Sequence, residues 1–161
     1  MFIEVSEFLQ RVISSEETVM FTMIDPYGHL SSSRYLEFMI NHRVSAAEDQ
    51  FKLYTSDVAL DGVGFFLKRS EIDFKRPLTS GQRIKISSWM SDCHKYGFRI
   101  DIIILIDNIR VHARGALEFI TVDLKSGKPK HCTEGFRTRT DLNTIQKLPL
   151  WADFSQNIKG L

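Results

Sequence analysis

A short loop holds the residue types in this chain that are best suited to chemistry. It reads Asp25-Pro26-Tyr27-Gly28-His29-Leu30-Ser31-Ser32-Ser33-Arg34-Tyr35 and joins an apolar run to a long amphipathic stretch. Pro26 and Gly28 break the apolar run, and the three serines are typical N-caps of a helix. Asp25 is therefore expected to face a helix N-terminus, whose unpaired N–H groups and partial positive charge suit a carbonyl oxygen that becomes negative during reaction.

The pattern Asp-x-x-Gly-His-Leu-x-x-x-x-Tyr in this loop, from Asp25 to Tyr35, resembles the signature loop of a known enzyme family. The family is the hotdog-fold acyl-CoA thioesterases of the 4-hydroxybenzoyl-CoA thioesterase type. The resemblance covers roughly Val19 to Leu124 and implies an α+β hotdog fold, in which an antiparallel sheet wraps around one long central helix. This chain has Ser31-Ser32 where many members have Asn-Asn, and it lacks the acid that many members carry further along the helix.

The resemblance implies roles for several residues of the loop. Asp25 would act as nucleophile or general base on a thioester, and the backbone amide of Ser32 would polarise the thioester carbonyl. His29 would be a proton shuttle or a substrate hydrogen-bond partner. Gly28 and Tyr35 would contact the substrate. The family needs no metal or redox cofactor for this reaction.

Each of these residues also has a purely structural interpretation. Asp-Pro sequences often place the Asp side chain on the backbone of its own turn, and Gly28 is expected to supply a positive φ. His29 also suits a packed position in the loop with its ring nitrogens satisfied, and Tyr35 suits a pocket wall or a core position. The serines suit capping better than nucleophilic catalysis, because no base and orienting acid lie nearby in the sequence.

Composition limits the other functions that the chain could have. The 161 residues are 43% hydrophobic, which is enough for the core of one domain spanning 1–161. The 21 basic and 20 acidic residues give a net charge of +1, which argues against nucleic acid or an anionic membrane as a partner. Cys93 and Cys132 suggest two thiols in a reducing compartment, although one disulfide stays open, and the histidines lack metal-ligand spacing. With no apolar run of about 20 residues, a cytoplasmic protein is expected.

The periodicity of apolar residues predicts the elements that position the loop. A short N-terminal helix from Glu4 to Ile13, ending at Ser14-Ser15, precedes a strand from Thr18 to Ile24. A helix from about Ser33 to Leu53 follows. Its apolar face is expected to consist of Leu36, Ile40, Val44, Ala47 and Phe51, widened by Met39 and Ala46. Alternation then predicts four strands in an antiparallel meander, with bulges near Lys68-Arg69-Ser70 and at Gly115. The segment from Glu134 to Ile145 is expected to form either a short strand end or a helix.

Basic residues of the first two of these four strands are candidates for binding the phosphates of coenzyme A, with Arg76 as the substrate-binding residue among them. The group is Lys68, Arg69, Lys75, Arg76, Arg83 and Lys85. Solvated outer faces of strands look the same. The aromatic residues Phe65, Phe66, Phe74 and Phe98 suit an aryl or an aliphatic acyl pocket equally well.

Two classes of function remain open from the sequence. The first is an Asp25-dependent thioesterase that acts on acyl-CoA or another acyl thioester, and the second is a hotdog protein that only binds such a thioester or serves as an assembly partner. A hotdog dehydratase is weaker, because its His-containing loop is not found. A homodimer or homotetramer is expected, both from the resemblance and because apolar edges such as Ile100 to Ile106 would otherwise be exposed.

Overall fold

The computed structural model describes residues 12–51 and 62–132, together with residues 134 and 136. Its elements, in chain order, are β1 (Ile13–Thr18), a 3-10 turn (Phe21–Met23), α1 (Ser32–Phe51), β2 (Val63–Phe74), β3 (Arg83–His94), β4 (Gly97–Ile106) and β5 (Arg110–Asp123). One long helix packed on an antiparallel five-stranded sheet is the hotdog fold, as the resemblance implied. Within the described ranges, no helix is both long and apolar enough to cross a membrane.

The helix α1 begins one residue before its predicted start, so the serine-rich N-terminus was read correctly. Its buried face agrees with the predicted one only in part. Leu36 and Ile40 are partly buried against the core, and Met39 and Ala46 are buried, as expected. Val44 is 48% exposed, however, while the polar residues His42 and Arg43 are buried. The side chains of Ala47 and Phe51 lie outside the described set.

The strand predicted from Thr18 to Ile24 is wrong. The first strand is β1, which ends at Thr18, and the predicted segment instead holds the 3-10 turn and a single bridge between Ile24 and Leu30. Ser14 and Ser15 therefore belong to a strand and do not end a helix; the rest of the predicted N-terminal helix lies almost entirely outside the described residues. An edge strand needs only one apolar face, so the polar sequence of β1 hid it from the periodicity analysis.

The strand order is β1-β3-β4-β5-β2, so β3, β4 and β5 form a meander but β2 does not join it. The chain leaves β2 at one edge and crosses to β3 on the other side of β4 and β5. The predicted meander of all four strands is therefore wrong, because connection length alone does not tell which strands pair. The segment Ile100 to Ile106 is also no edge, since it lies in β4 at the centre of the sheet and is buried on both sides.

A bulge was predicted correctly in β2, where the pairing register with β5 shifts between Leu67 and Arg69. The bulge predicted at Gly115 is wrong. The pairing register of β4 and β5 shifts elsewhere, between Ile104 and Leu105 of β4, which pair with Ala113 and Val111 of β5.

Gly115 has another role. A Cβ atom at Gly115 would lie 2.4 Å from the sulfur of Met39, so the glycine gives the helix room to approach β5.

A buried histidine joins α1 to the two strands at one side of the sheet. The Nδ1 atom of His42 lies 2.7 Å from the hydroxyl of Ser15 in β1, and its Nε2 atom lies 2.8 Å from the hydroxyl of Ser88 in β3. A neutral imidazole donates through one nitrogen and accepts through the other, so one serine is acceptor and the other donor. Burial, with a smaller contribution from the neighbouring Arg43 cation, lowers the pKa of His42 to about 4.

This lowered pKa predicts acid destabilisation. Between pH 6.5 and about 4 the unfolded chain binds a proton at His42 that the folded chain does not, so stability is complete above this window and falls as the pH falls through it. The full loss is about 3 kcal/mol. His42→Gln retains a donor and an acceptor without titrating, and should remove this part of the pH dependence, measured by urea unfolding at a series of pH values.

The matched control is His131→Gln, which removes an exposed histidine that bonds the Tyr96 hydroxyl. This variant should keep the acid sensitivity of the wild-type protein. Equal pH dependence in wild type and His42→Gln would contradict the assignment.

Candidate active site

The Asp25 carboxylate closes its own loop. Its Oδ1 accepts hydrogen bonds from the backbone amides of Tyr27, at 2.9 Å, and His29, at 3.1 Å. The Asp25 amide in turn donates to the carbonyl of His29, and Gly28 donates to the carbonyl of Asp25. Oδ1 of Asp25 therefore has the role expected of a turn residue. Oδ2 accepts no hydrogen bond from the described residues.

Gly28 and His29 complete this loop in different ways. Gly28 has φ +81°, the left-handed conformation that glycine adopts without strain, and this agrees with the expectation of a positive φ. His29 is exposed, and within the described part of the chain its imidazole makes no hydrogen bond. It is therefore not the packed, satisfied loop histidine that was the alternative interpretation.

The loop is attached firmly to the rest of the protein at its C-terminal end. The Leu30 amide donates to the carbonyl of Leu78 at 2.7 Å, and the Ser31 amide donates to the carbonyl of Met23 at 3.0 Å. Helix α1 begins at the next residue, Ser32, whose amide has no acceptor within the described ranges. Such an amide at a helix N-terminus is available to bind an anionic oxygen.

Tyr35 lies in the first turn of α1 and is buried. Its ring packs edge-on against Phe74 at the end of β2, with the ring centroids 5.0 Å apart. Burial raises the pKa of the Tyr35 hydroxyl, with the nearby Leu78 backbone opposing the shift and the Asp25 carboxylate adding to it. Tyr35 therefore connects the helix, the edge strand and the loop, as a wall of the site.

These residues surround one open cavity of about 270 Å³. Its lining includes every predicted site residue that has a side chain, and it adds a short segment that follows β2; the lining residues are Asp25, His29, Leu30, Ser32, Tyr35, Phe74, Lys75, Arg76 and Pro77. Gly28 stands beside it in the loop. The structure thus brings the predicted catalytic residues to one place.

The basic group predicted for phosphate binding is split by the strand order. Arg83 and Lys85 lie in β3, which is separated from β2 by two strands, and Arg83 pairs with Glu16 at 2.7 Å. Only Lys75 and Arg76 of this group line the cavity. Arg76 is held by its backbone amide and its guanidinium, which donate to the carbonyls of His112 and Val111.

The predicted aromatic pocket is also divided. Phe65 and Phe98 pack together, with ring centroids 5.4 Å apart, beside Phe119 and Phe136 at the other end of β4. Phe74 alone of the four lines the cavity. Pro77 and Leu78 were not predicted as site residues, because the crossing loop that carries them to the site has no motif of its own.

The arrangement is suited to acyl transfer. One carboxylate oxygen is fixed by backbone amides, and the other is available to a water or a carbonyl carbon. Ser32, whose amide has no acceptor among the described residues, lines the same cavity. Two cations at the exposed side add binding capacity for phosphate groups. Among the described residues, no cluster of His, Cys, Asp and Glu has the geometry to hold a metal ion.

Comparison with known proteins supports the same chemistry. The sequence profile of a family described as the thioesterase-like superfamily matches residues 19–145. Among characterised proteins, the chain is 28% identical over 108 residues to the long-chain acyl-CoA thioesterase FadM of Escherichia coli K12, which covers 65% of this chain and 79% of FadM.

Solved structures show the same fold at lower identity. YbaW, a probable thioesterase from Escherichia coli, superimposes with a TM-score of 0.73 at 19% identity, over 83% of this chain and 99% of YbaW. The protein SAV2348 from Staphylococcus aureus, solved in complex with CoA, superimposes with a TM-score of 0.78 at 11% identity, over 87% of this chain and 89% of its own.

Proposed function

The chain belongs to the thioesterase-like superfamily, and we propose that it hydrolyses an acyl-CoA to the free acid and coenzyme A with Asp25 as the catalytic carboxylate. The observation that carries this proposal is the common cavity of Asp25 and Ser32. A thioester carbonyl placed there meets an electron-rich oxygen on one side and a helix N-terminus on the other. FadM is an acyl-CoA thioesterase and SAV2348 binds CoA, which supports the choice of substrate.

In the general-base form of this reaction, Oδ2 of Asp25 takes a proton from a water molecule as the water oxygen attacks the carbonyl carbon. The carbonyl oxygen becomes negative and is stabilised by the Ser32 amide and the helix dipole. When the tetrahedral intermediate collapses, the carbon–sulfur bond breaks, and the thiolate of coenzyme A receives the proton. If Oδ2 instead attacks the carbon directly, the carbon–sulfur bond breaks, coenzyme A leaves as the thiolate, and a mixed anhydride of the acyl group and Asp25 forms. Water hydrolyses this anhydride in a second step, which releases the free acid and restores the carboxylate.

The groups around Asp25 would position the two ends of the substrate. Lys75 and Arg76 lie on the exposed side of the cavity and are suited to the phosphates of coenzyme A. His29, exposed and without a hydrogen-bond partner among the described residues, would exchange protons with the leaving thiolate or the attacking water. Gly28 and Tyr35 shape the wall against which the thioester lies.

We also infer a homodimer, formed through the outer edge of β2. This edge strand has twelve residues, and the other edge strand, β1, has six. Phe66, Leu67 and Phe74 of β2 are exposed apolar residues. An edge of this length attracts another strand unless it is protected. Because Phe74 also contacts Tyr35, a partner on this edge would lie beside the cavity.

The charges of β2 suit antiparallel pairing with its own copy. Arg69 and Glu71 lie on the same face of the strand and pair with each other in the single chain. If two copies pair about Ser70, Arg69 of each chain lies opposite Glu71 of the other. We propose a homodimer or homotetramer that is built on this contact. We also propose a cytoplasmic location, which the cysteine content suggests.

The first test is a panel of aliphatic and aromatic acyl-CoAs assayed for release of free thiol. We expect hydrolysis of at least one medium-chain or aromatic member, because the cavity presents a carboxylate and a helix amide to the same carbonyl. Silence across the panel, with acyl-CoA binding retained, would instead indicate the non-catalytic binding protein.

The second test is Asp25→Asn. An asparagine oxygen still accepts the amide hydrogen bonds of Tyr27 and His29, so the melting temperature should change little. Loss of the charge removes the base or nucleophile, and kcat should fall about a hundredfold or more.

The control for this substitution is Asp123→Asn. Asp123 closes its own turn in the same way, with Oδ1 accepting from the amides of Lys125 and Ser126, but it does not line the cavity. Its variant should retain wild-type turnover. A soluble Asp25→Asn variant that keeps more than about a third of wild-type kcat would exclude Asp25 as the catalytic carboxylate.

The third test addresses the dimer by analytical ultracentrifugation. The wild type should sediment as a dimer or larger at micromolar concentration. Arg69→Glu should weaken the association, because it places like charges opposite each other across the two-fold axis, and Arg69→Glu combined with Glu71→Arg should restore it. A monomeric wild type would reject the dimer, and a double variant as weak as the single one would reject pairing about Ser70.

A further inference from the structure

The direction of the bound substrate follows from the charges around the cavity. Lys75 and Arg76 mark the exposed side, where the phosphates of coenzyme A would lie. With the thioester carbonyl at Asp25 and Ser32, the acyl group must leave in the other direction, along the wall where the exposed ring of Phe74 packs on the buried ring of Tyr35. That wall leads inward between α1 and the sheet.

Met39 stands at the inner end of this wall. It lies one helical turn beyond Tyr35 on the same face of α1, and it is completely buried. Along β2, Ile72 is the next residue inward from Phe74 on the same face of the sheet, and it is partly buried against the core. An acyl chain that follows Tyr35 and Phe74 therefore meets Met39 and Ile72 next.

The position of the Met39 side chain depends on Gly115. Gly115 pairs with Ile72 across β2 and β5, and a Cβ atom in its place would lie 2.4 Å from the sulfur and 2.8 Å from the methyl carbon of Met39. The same Cβ atom would lie 3.4 Å from the backbone carbonyl oxygen of Glu71. The end of the Met39 side chain thus lies against the backbone of β5, where only glycine leaves it enough room.

We propose that Met39, seated on Gly115, is the floor of the acyl-binding pocket and determines the length of the acyl chain that the protein accepts. This inference rests on the proposed function, because it takes the carbonyl position from Asp25 and Ser32. An unbranched, polarizable thioether is suited to such a position, since it fills irregular apolar space and adapts to what it contacts. Removing it lengthens the pocket, and displacing it outward shortens the pocket.

The test compares straight-chain acyl-CoAs from butyryl to palmitoyl. Met39→Ala removes the side chain beyond Cβ, so the chain-length optimum of kcat/KM should move to longer substrates by about three carbons. Gly115→Ala pushes the flexible end of Met39 away from β5 and should move the optimum to shorter substrates. Val44→Ala, on the exposed side of the same helix, should leave the profile unchanged.

Two further variants protect the test against misfolding of Met39→Ala, which empties a buried position. Met39→Leu keeps most of the volume but reaches less far, and should shift the optimum in the same direction by a smaller amount. Met39→Ala with Gly115→Ala fills part of the space and should recover melting temperature lost in Met39→Ala. An unchanged chain-length profile in folded Met39→Leu and Gly115→Ala would overturn the inference.

Binding measurements separate this inference from the proposed function. The affinities of the same acyl-CoAs are measured by calorimetry in an Asp25→Asn background, where turnover is not required. If the wild type hydrolyses none of them but the chain-length dependence of affinity shifts with Met39, the catalytic proposal fails and the pocket floor stands. If affinity does not depend on residue 39 at any chain length, the pocket floor is rejected, whatever the turnover of the wild type.

Discussion

The carboxylate of Asp25 closes the loop from which it faces the cavity, since its Oδ1 accepts hydrogen bonds from the amides of Tyr27 and His29. The two oxygens of one group therefore have different roles: one holds the backbone and the other is free to act on a substrate. A carboxylate fixed in this way loses little rotational freedom when the substrate binds, and preorganised charge is what electrostatic catalysis requires. The turn interpretation and the catalytic interpretation of Asp25 are compatible for this reason.

The loop is useful only if the helix that follows it is held at a defined angle and rotation. Two contacts of different kinds set that rotation. His42 is bonded to serines of β1 and β3 on one side, and Met39 packs on Gly115 of β5 on the other. A buried imidazole between two hydroxyls is costly to misplace, because each nitrogen would lose its partner. Rotation of α1 by one residue would break both contacts and move Ser32 relative to Asp25.

The sheet connects the site to its surroundings through β2. Phe74 ends this edge strand, contacts Tyr35 and lines the cavity, and the segment that follows brings Lys75 and Arg76 to the exposed side. The amide of Leu30 is bonded to Leu78 in the same crossing loop. Any partner that pairs with β2 would therefore act on a wall of the site, and the substrate contacts and the oligomer contacts share one strand.

The local features of this protein were determined by the sequence itself. The helix start at Ser32, the positive φ of Gly28 and the bulge after Leu67 follow from capping, turn chemistry and a change in the phase of alternation, all of which act within a few residues. The loop motif also placed Asp25 and Ser32 correctly beside one cavity, because one short loop begins at Asp25 and ends at Ser32, the first residue of the helix.

Only the tertiary structure decided which distant segments meet. Strand pairing is a long-range choice, so the sequence did not show that β2 lies at an edge, or that Lys75 and Arg76 reach the cavity while Arg83 does not. Burial along α1 is decided in the same way. Val44 is apolar but has nothing to cover it among the described elements, whereas His42 is polar but finds Ser15 and Ser88 opposite, and a buried polar group is stable wherever the facing strands supply its partners.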